Sequence, residues 1–363
     1  MIQQIISAIK SEYKLIFRNH GVLLVLIFAP LIYAVLYSSA YAKQVATKIP
    51  IAVIDNSNSH SSRELIGLFN ASPYIDVRYE AEDMFAAKRL LFDGKIYGIV
   101  FIPHQYAESE IEKKQRWISA YFDASYFLMY RQVLQGVAGA ISSIQTIQPG
   151  VRLQTNTLFN PALGYGTFIM PAVLLVILQQ TALMGIGMVG AIERRLRRKT
   201  TPPTAALLGK FIAYGTIYAP LCTYIFAIHY HIFGYPENGT LWNCLVVIVS
   251  YMTAVIALAI ALSTLFRRVE TPLIAIIWSS IPILLLSGAS LPTEAFAKWL
   301  HTIGLLLPSS SGVSAYIRAQ SMGADISELI PELVRLWVLT ALYTMVAKYK
   351  ISERFASPGY PLS

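Results

Sequence analysis

The sequence predicts a membrane-embedded all-α bundle of about six transmembrane helices, with an α/β domain inserted on the outer side after the first of them. Three observations carry this. Of 363 residues, 55% are hydrophobic and only 13% charged, where soluble domains carry roughly a quarter; mean hydropathy is +0.52. Apolar runs recur at 21–42, 170–192, 205–233, 241–266, 272–288 and 333–347, several longer than the ~20 residues that cross a bilayer as a helix. Between the first two runs the composition changes, and strand-like and helix-like periods alternate.

Charge placement predicts the orientation. Lys10, Lys14 and Arg18 precede the first run, and "ERRLRRK" (193–199) follows the second. Arg267 and Arg268 follow the fourth, and Lys348, Lys350 and Arg354 the last, whereas the loop "GYPENGT" between the third and fourth has no Lys or Arg. Under the positive-inside rule both termini are expected in the cytoplasm of a bacterial plasma membrane, the inner one in a two-membrane cell. "AYA" at 40–42 imitates a signal-peptidase site, but the apolar run is long and a basic segment of about twenty residues precedes it, so it reads as a span. Arg335 lies near the outer end of the last run, where it is expected to snorkel to the headgroups.

Residues 1–19 place Ile2, Ile5, Ile6, Ile9, Tyr13, Ile16 and Phe17 near one helical face, the pattern of a helix lying in the membrane interface. The first span then covers 20–42 and the outer domain 43–163. In that domain "IPIAVID" (49–55), "YIDVRYE" (74–80), "IYGIVFIP" (96–103) and "RWISAYFD" (116–123) read as strands. The polar residues Asp55, Asn56 and Asn58 read as a turn. Ser61 with Glu64 suggests a capping box for the helix that follows. A second helix stops at Gly94, and a third, around 125–147, returns to the membrane.

Residues 164–349 hold the remaining five spans, and 350–363 form a cytoplasmic tail. Within them 289–331 is moderately apolar but broken by Pro292 and Pro308. Irregular backbone at membrane depth must be buried in protein or line a cavity, so a re-entrant or interfacial helical hairpin at the outer face is expected.

Little chemistry is encoded. Gly209-Lys210 lacks the other residues of a nucleotide-binding loop, so no cofactor is expected and any ATP belongs to a partner. Cys222 and Cys244 both fall in spans, and His229 and His231, two apart, point to different helix faces; neither pair suggests a metal site. The runs 170–192, 205–233, 241–266 and 272–288 contain no Asp or Glu, which disfavours a proton-coupled transporter. Polar residues that remain there, Gln179, Gln180, Thr181, Ser279 and Ser280, either line a pathway or hydrogen-bond between helices. Gly187 and Ala191 form a small-xxx-small pair suited to helix contact.

Taken together the chain resembles the permease subunit of a type-2 ABC exporter, in the branch with a large extracytoplasmic domain after the first span. The likeness rests on "IAVIDNSNSHSSRELIGLFNASPYIDV", "AAKRLLFDGKIYGIVFIPHQY" and the paired-proline "SGASLPTEAFAKWLHTIGLLLPSSSG". It implies a dimeric membrane unit, formed with a second copy or a close paralogue, that pairs with cytoplasmic ATPase subunits and exports drugs, lipids or other amphiphiles. A periplasmic adaptor protein is a further partner such exporters admit. The resemblance also implies that the loop after the second span couples to the ATPase, with Glu193, Arg194, Arg195, Arg197 and Arg198 as its contacts. In that family the loop commonly runs Glu-Arg-Glu-x-Gly-Thr before its proline; here "RLRRKTTPPT" follows Glu193-Arg194 and is far more basic. Contact of the same charge with anionic lipid is the plainer reading of it, and nucleic acid is not expected. A membrane-anchored assembly or signalling protein that uses the outer domain as a binding module is the alternative to export.

Thiol labelling tests the orientation. In a background without Cys222 and Cys244, cysteines placed at Ser59 and Asn238 are expected to react with an impermeant reagent in intact cells. One at Thr200 is expected to react only after permeabilisation, and its labelling in intact cells overturns the topology.

Overall fold

A computed structural model describes residues 1–41, 47–106, 117–122, 127–145, 165–196, 202–235, 237–288 and 296–356. The chain divides into two compact units, one mainly of Met1–Ala42 with Gly166–Ser363, the other mainly of Lys43–Thr157.

The smaller unit is α/β. Its elements are β1 (Ile49–Asp55), α3 (His60–Ala71), β2 (Ile75–Glu80), α4 (Met84–Phe92), β3 (Gly98–Ile102), β4 (Ser119–Phe122) and α5 (Phe127–Gln145); α1 and α2 belong to the other unit. The sheet order is β2-β1-β3-β4, with β1 parallel to both neighbours and β4 antiparallel to β3. A central parallel strand is covered on both faces and so reads as a continuous apolar run, as "IPIAVID" does. On one face Ile51, Val53 and Val100 pack with Leu65 and Phe69 of α3 and Val133 and Val137 of α5. On the other, Ala52, Ile54 and Ile99 pack with Ala87 of α4. All four expected strands are present, and 125–147 forms the expected helix within its described part.

The capping of α3 differs from the sequence expectation. The box is made by Ser59, whose side chain accepts from the Ser62 amide at 3.0 Å, and by Ser62, whose hydroxyl accepts from the Ser59 amide at 3.0 Å. Ser61 and Glu64 do not make it. The reason is the preceding turn: Asp55 Oδ1 accepts from the Ser57 and Asn58 amides at 3.0 and 3.1 Å, and Asp55 Oδ2 accepts from the Ser62 hydroxyl at 2.6 Å. With Asn58 at φ +49°, the chain turns into the helix two residues early. At the end of α4, Gly94 takes φ +67°, a conformation that stops a helix without a Cβ clash.

The larger unit is helical: α1 (Ile2–Arg18), α2 (His20–Ala40), α6 (Tyr165–Arg195), α7 (Pro203–Phe233), α8 (Leu241–Ser263), α9 (Glu270–Leu286), α10 (Lys298–Leu305), α11 (Pro308–Ser321) and α12 (Ile326–Ala356). Among the described residues, α2, α6, α7, α8 and α12 contain segments long and apolar enough to cross a membrane. The expected run 272–288 forms α9, apolar but 17 residues long, about 25 Å at 1.5 Å per residue. α2 and α7 each carry a π-helical turn, at Leu24–Phe28 and Tyr224–His229. Hydrogen bonds at both ends set the alternation of the helices. Arg194 at the end of α6 donates to the Thr264 carbonyl, just beyond α8, at 3.4 Å. At the opposite end Asn238 and Asn243, around the start of α8, donate to the Ser321 and Ala324 carbonyls at 2.9 and 3.0 Å.

The segment 289–331 holds a helical pair, α10 and α11. Pro308 occupies the first turn of α11, where its missing N–H is not needed; Pro292 lies outside the described residues. α11 is buried along most of its length. Gly312 makes this possible, because a Cβ there would sit 2.1 Å from the Tyr251 ring on α8. The hydroxyl of Ser310 ties the pair to α9 through the Leu286 carbonyl at 2.9 Å.

Phe69 is fully buried between α3 and the sheet, so Phe69→Ala is expected to destabilise the α/β unit by ~3–5 kcal/mol. Limited proteolysis of the full chain checks this: cleavage is expected to rise within 47–122 while the fragments from the helical unit stay intact.

Candidate functional site

Among the described residues of the helical unit, buried charge is concentrated at the end where α6 stops and α7 starts. Lys210 Nζ, in the second turn of α7, donates to Glu193 Oε2 at 2.8 Å and to Glu12 Oε1 on α1. Tyr214, one turn further along α7, donates its hydroxyl to Glu12 Oε2 at 2.8 Å. The Glu12 and Lys210 side chains are 4% and 10% exposed. Ionisable side chains in a membrane helix are rare and almost always paired; here one ammonium serves two carboxylates from two other helices. Burial, the largest influence, pushes the Glu12 carboxyl up to about 8, with the nearby Lys210 charge opposing and Glu193 adding to the rise.

The cluster explains how α1 sits. Its buried stripe is Ala8, Glu12, Leu15 and Ile16, rotated about a quarter turn from the apolar face read in the sequence. Ile2, Ile6 and Phe17 of that face remain exposed. A stripe of Ala8, Leu15 and Ile16 around Glu12 therefore docks on the protein, and Ile2, Ile6 and Phe17 stay open. Gly209 permits the contact, because a Cβ there would lie 2.5 Å from that of Ala8.

Of the basic loop, Arg194 and Arg195 end α6 and are exposed; Arg197 and Arg198 lie outside the described residues. Sequence reasoning missed Glu12, Lys210 and Tyr214. Their signals were a lone acid on a basic amphipathic segment and a lone lysine in the run 205–233, noticed only as part of an incomplete nucleotide loop.

The intramembrane polar residues separate into two sets. Gln179, Gln180 and Thr181 are buried in α6. Gln179 donates to Ser309 Oγ and accepts from Tyr251, both at 3.4 Å; Thr181 bonds the Ile177 carbonyl of its own helix at 2.9 Å. Neither amide atom of Gln180 has a hydrogen-bond partner among the described residues. Ser279 and Ser280 bond the Ile276 and Ile277 carbonyls within α9, at 3.1 and 2.6 Å. Gly187 packs against Pro272 at the start of α9. His229 is buried, bonded to Ser38 at 2.8 Å and stacked near Phe233, whereas His231 is exposed. Among the described residues no group of three or more His, Cys, Asp or Glu could hold a metal ion.

Comparison with known proteins gives this geometry its context. Residues 20–349 match the ABC-2 family transporter protein family. The chain belongs to that family. It is also 23% identical, over 330 aligned residues, to the probable multidrug ABC transporter permease YbhS of Escherichia coli K12 and to its counterpart in Escherichia coli O157:H7. Each alignment covers 84% of this chain and 85% of the relative. No solved structure matches. This ABC-2 family protein is a multi-pass membrane permease, and the match begins at the residue where α2 begins, beyond α1. The charged lock thus joins α1 to two helices that lie within the matched region.

The raised Glu12 carboxyl sets the pH dependence of α1 docking. A proton held more tightly in the docked state is favourable below the shifted value and unfavourable above it. Docking is therefore expected to weaken as pH rises above the ordinary carboxylate range and the second carboxylate facing Lys210 gives up its proton. Glu12→Gln has no such proton to lose and is expected to flatten the profile. Amide hydrogen exchange of α1 between mildly acidic and mildly alkaline pH reads the difference.

Proposed function

We propose that this permease is the membrane-spanning, non-catalytic subunit of an ATP-driven exporter that moves an amphiphile out of the cytoplasm or the inner leaflet. ATP is bound and hydrolysed by a separate cytoplasmic ATPase, and two permease chains form the membrane unit. The α/β unit faces outward, and both termini are cytoplasmic. Family membership supports the permease role. The similarity to YbhS, a probable multidrug ABC transporter permease, supports an amphiphilic cargo.

The observation that carries the coupling part is the Glu12–Lys210–Glu193 lock at the ends of α6 and α7, the two helices that the basic loop joins in sequence. A force applied at residues 194–202 meets α6 and α7 directly. Lys210 sits eight residues past the proline Pro202 that precedes α7, and its two ion pairs tie α1 to the same pair of helix ends. Movement of the loop is then movement of three helices as one body. Gln179, Gln180 and Thr181, buried on α6, are the residues of the proposed pathway that such movement displaces; Ser279 and Ser280 on α9 belong to its opposite wall.

The docking role has a direct test. Single exposed ion pairs contribute only ~0–1 kcal/mol, so Arg194, Arg195, Arg197 and Arg198 are replaced together by alanine. The variant is expected to insert correctly, lose its ATPase during purification more readily at high salt, and hydrolyse without exporting. Normal export with the ATPase retained overturns the docking role and leaves the charge to orientation and lipid.

A further inference from the structure

We infer that the cavity between the helical pair α10–α11, the end of α9 and the start of α12 binds an anionic amphiphile, a membrane lipid with a phosphate headgroup. The cavity measures about 470 Å³, within the range of ~300–1,000 Å³ typical of small-molecule sites. It lies at the end of the bundle opposite the Glu12–Lys210–Glu193 lock.

Its lining has two sides. One is apolar, with Leu300, Leu305 and Ile317; the other carries Arg318, Glu332 and Arg335. Arg318 is fully engaged. It donates to Glu332 Oε1 at 2.7 Å and to the Glu328 carbonyl at 3.0 Å. Arg335 is not neutralised in this way: its Nη1 reaches Ser311 Oγ at 3.4 Å, a long contact, and it forms no ion pair among the described residues. One positive charge of the lining is left over, on a helix long and apolar enough to span a membrane.

A guanidinium on a spanning helix is costly to leave in hydrocarbon and turns to the headgroups, a cavity or a partner. Arg335 is exposed, as the expected snorkelling residue would be, and it lines the cavity beside Ser311 of α11. Its planar fork matches a phosphate or carboxylate bidentately. Ser314, also on the lining, adds a hydroxyl. With the apolar wall beside these donors, the occupant needs an anionic head and a hydrocarbon chain. A soluble anion would leave Leu300, Leu305 and Ile317 unfilled, and an uncharged lipid would leave Arg335 unpaired.

The test uses the full chain in detergent, with phosphatidylglycerol, phosphatidylcholine and glycerol phosphate as probes and native mass spectrometry as readout. Wild-type protein is expected to retain phosphatidylglycerol in preference to phosphatidylcholine and to show no retained glycerol phosphate. Arg335→Gln is expected to reduce that preference about fivefold, whereas Arg335→Lys keeps most of it. Leu300→Trp fills the cavity from the apolar wall on α10, and Ser314→Trp fills it from α11; both are expected to lose phosphatidylglycerol, and they decide the matter if Arg335→Gln is not recovered folded. Equal retention of the two lipids, an undiminished preference in Arg335→Gln, undiminished retention in either tryptophan variant, or retention of glycerol phosphate alone overturns the inference. Binding is read without ATP or a partner chain, so failure here leaves the export reading standing, and failure of export leaves this site standing.

Discussion

One lysine sets the arrangement of the helical unit at the end where α6 meets α7. Lys210 is placed where a span begins, near enough to the polar boundary to stay charged yet 10% exposed. Alone it would be a costly buried cation. It is tolerated because Glu193 ends the preceding helix on the same side and Glu12 is delivered by a helix from the other end of the chain. Three segments far apart in sequence are held at one point, and each charge depends on the others. Removing one partner strands the rest, a loss on the order of 3–5 kcal/mol for a buried pair.

That dependence gives an otherwise ordinary amphipathic helix a fixed rotation. Hydrophobicity alone would turn the Ile-rich face of α1 inward. The ion pairs turn it by about a quarter turn, so Glu12 and Ala8 face α7 while Ile2, Ile6 and Phe17 remain outside. The helix can then contact protein on one stripe and an apolar medium on another. Gly209, with no Cβ to collide with Ala8, lets the backbones come close enough for the short side chain of the glutamate to reach.

The opposite end is built differently. There neutral hydrogen bonds from Asn238, Asn243 and Ser310 to backbone carbonyls stand beside the Arg318–Glu332 ion pair, and a helix lies on Tyr251 through Gly312. Such bonds satisfy the backbone of the broken segment α10–α11 without fixing a charge. Arg335 is the exception, a cation left beside an open volume. At one end a single lysine is shared by two carboxylates; at the other the Arg318–Glu332 pair leaves Arg335 without an acid among the described residues.

Much of this protein is legible in its sequence. The apolar runs, the four strands of the α/β unit, the α9 and α12 helices and the helical break at Pro308 all follow from local composition and period, because helix and strand formation are decided mainly by neighbours a few residues away. The site is not legible in the same way. Glu12 and Lys210 are 198 residues apart, and no periodicity connects them; that Arg335 stands beside a cavity shows only once α11 is folded against α12. The α3 cap shows the same limit on a small scale: Ser61 and Glu64 fit the pattern, but the side chain of Asp55 reaches Ser62 and starts the helix from Ser59. Sequence determined which segments are helices and strands, since that is a property of each segment's own side chains. Tertiary structure decided which face of each helix turns inward, because buried charges must find opposite charges, and only the folded chain brings them within reach.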